Sequence, residues 1–422
     1  MLGASGDFNV TRATTATRVN ASGFIESVAS GIPRLDYFAS GGTVGCPALL
    51  VEPSAQNLAW HSETWAAGSN WNLSAGSTPR VTRVTGSTDA YIAPNGTFTA
   101  NALSPTSGNV SHQLFSNSPT EITYTSGTIY TQSAFFKAGT GDAGRYVQLT
   151  FGSLQFTQVG YANFDLQVGA AVASGGTADA NRNTRIENYG NGWYRCSFTA
   201  TCNSTGTGAG LIISPITSTG SGRIPSFSGV TGDVLYGWGA QLETGSVATS
   251  YIPTTTGSVT RNADVVSVSG AVSGSIGQTE GTIYAEMDMR NKGVSVSRVI
   301  YLSDGTSNNE IRISHSVTTA GDLQIAIRLA GSLVVNQISP TAVYFGINKI
   351  AVGYKVGTNE VAMYVNGSQI ILSTSSGNMP ACNTIHLGSQ LGTSNFLNDR
   401  IRAAALYNTR LTNAELAALT TP

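Results

Sequence analysis

From Val234 to Ala240 the chain alternates: Val234, Tyr236, Trp238 and Ala240 share one parity, and glycine or polar residues hold much of the other. A period of two marks a β-strand. Pro253 closes the ladder, because proline donates no N–H and fixes its own φ. From Thr254 to Gly281 the sequence turns to Ser, Thr, Gly and short apolar pairs, which predicts a linker carrying one edge strand. This stretch ends one β unit and hands the chain to another.

Ahead of it, strand-like pieces recur at 80–86, 121–125, 128–139, 145–151, 162–169, 193–201, 210–214 and 234–243. Joined by Gly-, Asn- and Ser-rich turns, they predict an antiparallel two-sheet sandwich of jelly-roll type over residues 54–256. Behind it, Ile283, Ala285, Met287 and Met289 oppose Tyr284, Glu286 and Asp288. Leu323, Ile325, Ile327 and Leu329 repeat the pattern, as do Ile350, Val352, Tyr354 and Val356. Val361, Met363 and Val365 lead into Asn366-Gly367, a preferred pair for a tight hairpin turn, and residues 369–372 return. A second sandwich is thus predicted over 279–422, after a linker at 257–278. Its end carries a helix signal: Thr412 as N-cap, Glu415 three residues on, and Leu411 with Leu416 as a hydrophobic staple.

Residues 1–53 form a short N-terminal β region, in which 16–19, the turn 20–23 and 24–28 read as a hairpin. Val10, Val19, Phe24, Ile25, Val28, Ile32, Leu35, Tyr37 and Phe38 make it too apolar for a solvated tail. Two placements fit: a cap on the first sandwich, or an arm packed on a neighbouring subunit. The fold class expected is therefore all-β, with two antiparallel sandwiches and one short C-terminal helix.

Composition agrees. Only 11% of the 422 residues are charged, against about a quarter in ordinary domains, and 49 are glycine. Hydrophobic residues still reach 41%, enough to build a core rather than a disordered chain. A net charge of −1 with no basic run gives no electrostatic footprint for nucleic acid. No apolar stretch is long enough to span a membrane, and the N-terminus lacks a signal-peptide pattern. The expectation is a protein made in a cytoplasm and leaving it only as part of a particle. Cys196 and Cys202, if on one strand, lie roughly 20 Å apart at about 3.3 Å per residue, beyond the ~7 Å reach of a disulfide. With Cys46 and Cys382 they are expected to be reduced and mostly buried.

Certain motifs carry a resemblance. Residues 11–28, Pro33-Arg34-Leu35-Asp36-Tyr37, residues 49–53 and Gln56-Asn57-Leu58 come first. Ser62-Glu63, Trp71, residues 133–139, 164–169 and 191–201 follow, then 237–243, Tyr251-Ile252-Pro253-Thr254, Val259-Thr260-Arg261 and Ala263-Asp264. In order and spacing this set resembles a carbohydrate-binding-module-like domain of tailed-phage virion proteins. Residues 361–367, 385–388, Asp399-Arg400-Ile401-Arg402 and 406–416 are similar to a laminin-G-like, concanavalin A-like lectin domain. The resemblance implies a non-enzymatic virion structural protein displayed on the particle as a fibre, spike or adhesin component that binds host-surface glycans. Its partners would be other phage structural proteins and further copies of itself, a trimer being favoured. The alternatives are a head fibre or capsid-decorating protein with no specific ligand, and a polysaccharide depolymerase.

Catalysis has one candidate pair, Glu286 and Asp288 on one strand face, but glucanases of the second fold use a further carboxylate where Arg290 and Asn291 stand. No catalytic residue is therefore expected, and the pair reads as a solvated face. His61, His112, His315 and His386 share no ligand spacing and read as surface or sheet residues. No cofactor is expected. Asp304-Gly305, Asn308-Asn309 and Asp399 offer oxygens to a Ca²⁺ ion, although a turn role suits them better. All five tryptophans fall in the first sandwich. Trp193 and Trp238 sit in alternating strands and read as core, whereas Trp60, Trp65 and Trp71 lie in a Gly- and Ser-punctuated segment. These three are the candidate glycan-stacking residues.

Overall fold

In a computed structural model the alternating segment is a strand, Val234–Thr244, inside a six-stranded sheet. The structure describes residues 8–422 except 39–41, 43, 76–77, 80, 85–91, 117–120, 153, 157–159, 175–178, 180, 271–273, 291–296, 316–322, 340–344 and 376. Parts of the expected 80–86 strand, and Asn291, thus lie outside the described residues. The central strand pairs antiparallel with Asn101–Pro105 on one side and Ile129–Thr140 on the other. Trp193–Thr201 and Asn183–Gly190 extend the sheet beyond Ile129–Thr140, and Val81–Val84 forms the opposite edge.

The alternation breaks at Gly239, whose φ of +64° accommodates a bulge opposite Ser133–Phe135. A side chain there would strain the left-handed backbone and press on the Phe135 ring. The bulge changes which way the strand faces. Tyr236 and Trp238 join a small cluster with Val19, Ile25, Phe38, Phe135 and Tyr251, whereas Leu235, Ala240 and Leu242 enter the main core. Trp238 and Ala240, expected on one face, point to opposite sides.

The main core lies between this sheet and a second one, ordered Ala170–Ser174, Tyr161–Asp165, Tyr146–Thr150, Ile212–Ile216, Leu114–Ser116 and Trp71–Asn72. Phe136, Phe198 and Leu242 from one sheet meet Val147, Leu149, Phe164 and Ile213 from the other. This is the first sandwich. The second pairs two seven-stranded antiparallel sheets around a core of Ile, Val, Met and Leu.

The N-terminal region is where the structure departs most from expectation. Asn9–Thr11 pairs with Val265–Ser269 at the edge of one sheet of the second sandwich. Val44–Val51 pairs with Asp399–Tyr407, and Leu35–Phe38 adds the outermost strand of the other sheet. The chain thus begins the second sandwich, builds the first as an insertion, and returns to finish the second. The hairpin of Ala16–Val19 and Ile25–Val28 packs toward the first sandwich through Val19 and Ile25, and Phe38 joins them there. Apolar strand faces drive this placement, since either sheet edge left bare would expose core residues and unpaired backbone. The expected linker is similarly structured: Val259–Arg261 pairs with Ala55–Asn57, and Val265–Ser269 is an interior strand.

Local signals appear as read. Asn366 and Gly367 both take positive φ, 49° and 81°, in the turn between Gly357–Val365 and Ser368–Ser375. Thr412 caps the helix Asn413–Leu419 with a full capping box to Glu415, and Leu411 and Leu416 share a cluster on Ala351, Ala362 and Tyr364. A single helical turn, Asp142–Arg145, is added.

Candidate functional site

Several of the residues that carry the sequence resemblance meet at the seam between the sandwiches. Asp264 accepts from Arg12 Nη1 at 2.8 Å, Arg34 Nε at 3.2 Å and the Glu52 backbone N–H at 3.1 Å, and also contacts Arg34 Nη2. Glu52 pairs with Arg34 Nη1 at 2.7 Å and Arg261 Nη2 at 3.4 Å, and accepts from the Ser250 N–H and hydroxyl. Burial alone would raise the Glu52 carboxyl, but Arg261 and Arg34 hold it well below the usual carboxylate range. Asn57 extends the seam: its amide donates to the carbonyls of Ala240 and Ile252 and accepts from the N–H groups of Leu242 and Ala59. All of these side chains are buried. The motif is an internal clasp, not a surface site.

The candidate tryptophans fare the same way. Trp65 and Trp71 are 0% and 2% exposed and stack on each other with ring centroids 5.0 Å apart. Their indole N–H groups donate to the carbonyls of Ser62 and His61. Gly237 makes this possible, because a Cβ there would lie 2.2 Å from the Trp65 ring. Neither tryptophan can stack on a sugar in this fold, and Trp60 is half-buried. The Gly- and Ser-rich segment suggested exposure, but the glycine that makes room for the Trp65 ring lies outside it, on the strand Val234–Thr244. Trp193 and Trp238 are core residues, as read.

The carboxylate pair is not a solvated face. Glu286 meets Arg402 Nε at 2.7 Å, and Asp288, 7% exposed, accepts from Arg290 Nε at 2.8 Å. Asp304 accepts from the Thr306 N–H and hydroxyl and from Asn309, closing a turn, while Asp399 is buried beside Arg400 and accepts from the Arg290 N–H. Among the described residues no three His, Cys, Asp or Glu side chains gather as a metal site would require. His315 and His386 are sheet residues, as one of the two readings had it, and both are buried, as is His112. Cys196, Cys202 and Cys382 are buried free thiols and Cys46 is exposed.

A cleft does open between the sandwiches, with a volume of about 570 Å³. The first sandwich contributes Tyr194 and the edge-strand residues Arg185, Glu187 and Asn188, and the second contributes Arg290 and the exposed Phe345. Gly169 takes φ +68° beneath the Tyr194 ring, where a Cβ would stand 2.9 Å from it. The floor is Phe38, flanked by Tyr189 at 4.4 Å and by the Arg290 and Arg400 guanidinium groups at 4.4 and 5.4 Å. Arg185 Nη2 donates to Glu187 at 2.7 Å and its Nη1 to the Arg290 carbonyl at 3.0 Å, so it bridges both walls. Burial would lower Arg400, but Asp36 and Asp399 hold it above its ordinary value. The cleft thus combines aromatic rings with planar polar groups, the pairing that suits a sugar's apolar face and hydroxyl rim. Sequence reasoning missed it, because its residues come from five separated segments.

No protein-family model matches the chain, and no curated protein matches it. Solved structures resemble part of it. The CBM40 module of a Ruminococcus gnavus IT-sialidase is 16% identical, over 34% of this chain and 84% of that one, with a TM-score of 0.30. The NanB sialidase from Streptococcus pneumoniae is 19% identical over 37% of this chain and 27% of that one, with a TM-score of 0.31. A heptameric SAP-like pentraxin from Limulus polyphemus is 14% identical over 33% and 68%, with a TM-score of 0.26. Likenesses this partial leave function open.

Proposed function

We propose that this chain is a non-enzymatic virion component of a tailed phage, displayed on the particle, that binds host-surface carbohydrate in the cleft between its sandwiches. The cleft carries the reading: exposed Phe345 and half-buried Tyr194 stand beside Arg185, Glu187 and Asn188 in a space of about 570 Å³. The sequence motifs support the virion setting. The arginine partners of Glu286 and Asp288 support binding without hydrolysis, since each carboxylate is engaged by a cation rather than facing a shared substrate position.

The test uses the intact chain. Tyr194→Ala with Phe345→Ala should weaken binding to isolated host-surface polysaccharide by about ten- to a hundredfold, the loss of two stacked rings, while the unfolding midpoint stays put. Unchanged affinity would remove the cleft from the reading. Release of reducing ends from the polysaccharide, abolished by Glu286→Gln with Asp288→Asn, would overturn the non-enzymatic part. Immunogold labelling of particles should place the chain on the outer surface.

A further inference from the structure

A second group of arginines lies far from the seam in sequence and register. Arg298 is opposite Ser314, Arg312 is opposite Tyr301, and Arg328 is opposite Glu310 on three neighbouring strands, Arg298–Ser303, Glu310–His315 and Leu323–Leu329. Ile300, Ile311, Ile313, Ile325 and Ile327 point into the core, so the arginines share the outward face. That face is nevertheless covered: Arg298 is 6% and Arg312 7% exposed, and Glu310 is 2%.

Charge there does not balance. Glu310 is the carboxylate that the arginines meet, in contact with Arg312 Nη1 and 3.3 Å from Arg328 Nε. Arg298 meets no acid among the described residues; its Nη2 donates to Gln390 Oε1 at 2.8 Å. Its Nε and Nη1, and Arg312 Nε, have no acceptor among the described residues. Burial pushes both guanidinium groups down to about 10, with neighbouring arginines adding repulsion. These arginines line a cavity of about 250 Å³, walled also by Glu310, Ser307, Asn308 and Gln390.

Buried guanidinium N–H groups without acceptors are costly and rare, and a guanidinium cannot escape by losing its proton. The missing acceptor must be anionic and compact, because the cavity is smaller than the ~300–1,000 Å³ of a whole small-molecule site. We propose that this pocket binds the oxyanion of an acidic sugar, a carboxylate or a sulfate or phosphate ester, held by Arg298, Arg312 and Arg328. The fork of each arginine matches such a group. The sugar assignment rests on the glycan-binding reading above; the anion site does not.

Calorimetric titration of the intact chain tests it, with sodium sulfate, sodium phosphate and glucuronate, each against sodium chloride at matched ionic strength. Saturable binding is expected, at least about tenfold weaker in Arg298→Met, a change that keeps side-chain length and removes the charge. Arg312→Lys, which keeps the charge without the fork, should also weaken it. A second titration compares acidic and neutral oligosaccharides, with the acidic ones favoured in wild type only. No saturable binding of any of the three anions, or binding equal in Arg298→Met, overturns the site. Anion binding lost in Arg298→Met, with no preference for acidic oligosaccharides, upholds the site and overturns its assignment to sugars. Loss of glycan binding in the cleft variants with anion binding intact supports both sites as separate.

Discussion

Two groups of three arginines stand among the described residues, the seam group wholly buried and the other buried except for Arg328, and they differ in what they face. At the seam, Arg12, Arg34 and Arg261 meet two carboxylates, each touched by more than one arginine, and Arg12 also donates to the carbonyls of Thr14, Val28, Ala29 and Ile32. On the outward face of the second sandwich, Arg312 and Arg328 share one carboxylate, Arg298 meets none, and Arg298 and Arg312 leave N–H groups without acceptors among the described residues. The residue type is the same in both, and Arg261 at the seam also leaves N–H groups without an acceptor among the described residues. What separates the two groups is charge: every seam arginine meets a carboxylate, whereas Arg298 meets none among the described residues.

The sharpest way to break that comparison is to take an acid from the seam. Asp264→Ala strands Arg12 and Arg34 in the interior, where removal of one partner from a buried pair costs about 3–5 kcal/mol. Because the seam joins both sandwiches, urea unfolding should lose that stability in the whole chain, or the variant should be insoluble. A loss below 1 kcal/mol would mean that water replaces the carboxylate and the seam is no clasp.

The seam also shows what the sequence holds and what it hides. Strand faces were legible at Ile283–Met289 and Ile350–Tyr354, and so were the Asn366-Gly367 turn and the Thr412 cap, because each depends on neighbours within a few residues. The joining of Asn9–Thr11 to Val265–Ser269 was not, since pairing across some 250 residues leaves no local trace. Motif residues such as Arg34, Glu52 and Asp264 were visible as a pattern, but their role was not. Trp65 looked exposed because the glycine that buries it, Gly237, lies far along the chain. The cleft and the second arginine group were equally hidden, each assembled from separated segments.

His315 sharpens the contrast with a base that can respond. It lies on the same strand as Arg312, is 5% exposed, and its Nε2 has no partner. Burial lowers it to about 4 from 6.5. An arginine in such surroundings stays charged, whereas a histidine discards its proton. The unfolded chain then binds the proton more tightly, so stability is fullest above pH 6.5 and is lost as pH falls toward 4. The loss should be about 2–3 kcal/mol by pH 4.5. His315→Gln should remove that part of the slope in urea unfolding at pH 7 and 4.5; identical slopes would place the ring in water.

A smaller effect of opposite sign is expected at the second arginine group. Arg298→Met deletes a charge that no carboxylate answers, so it should leave stability unchanged or raise it by about 1 kcal/mol in the absence of added anions. The equivalent Arg12→Met should destabilise, because it takes one arginine from Asp264 and the side-chain donor from four carbonyls. If both substitutions destabilise equally, the two groups are alike and the argument from unanswered charge fails.

The smallest effect belongs to a pair that matches the seam in distance and differs in surroundings. Arg18 Nε lies 2.8 Å from Glu26, the same separation as Arg12 from Asp264, and both pairs involve the N-terminal hairpin or its flanks. Arg18 and Glu26 are 25% and 36% exposed at their side chains, against 0% and 2% for the buried pair. Water screens the outer pair and solvates either partner left alone, so Glu26→Gln should cost only about 0.2–1 kcal/mol. Raising the salt to 1 M shrinks the Debye length to about 3 Å and should erase most of that difference, while leaving the Asp264→Ala loss largely intact. Equal salt sensitivity in the two variants would show that solvent reaches the seam, and that its arginines, like those on the outward face, are open to ions from outside.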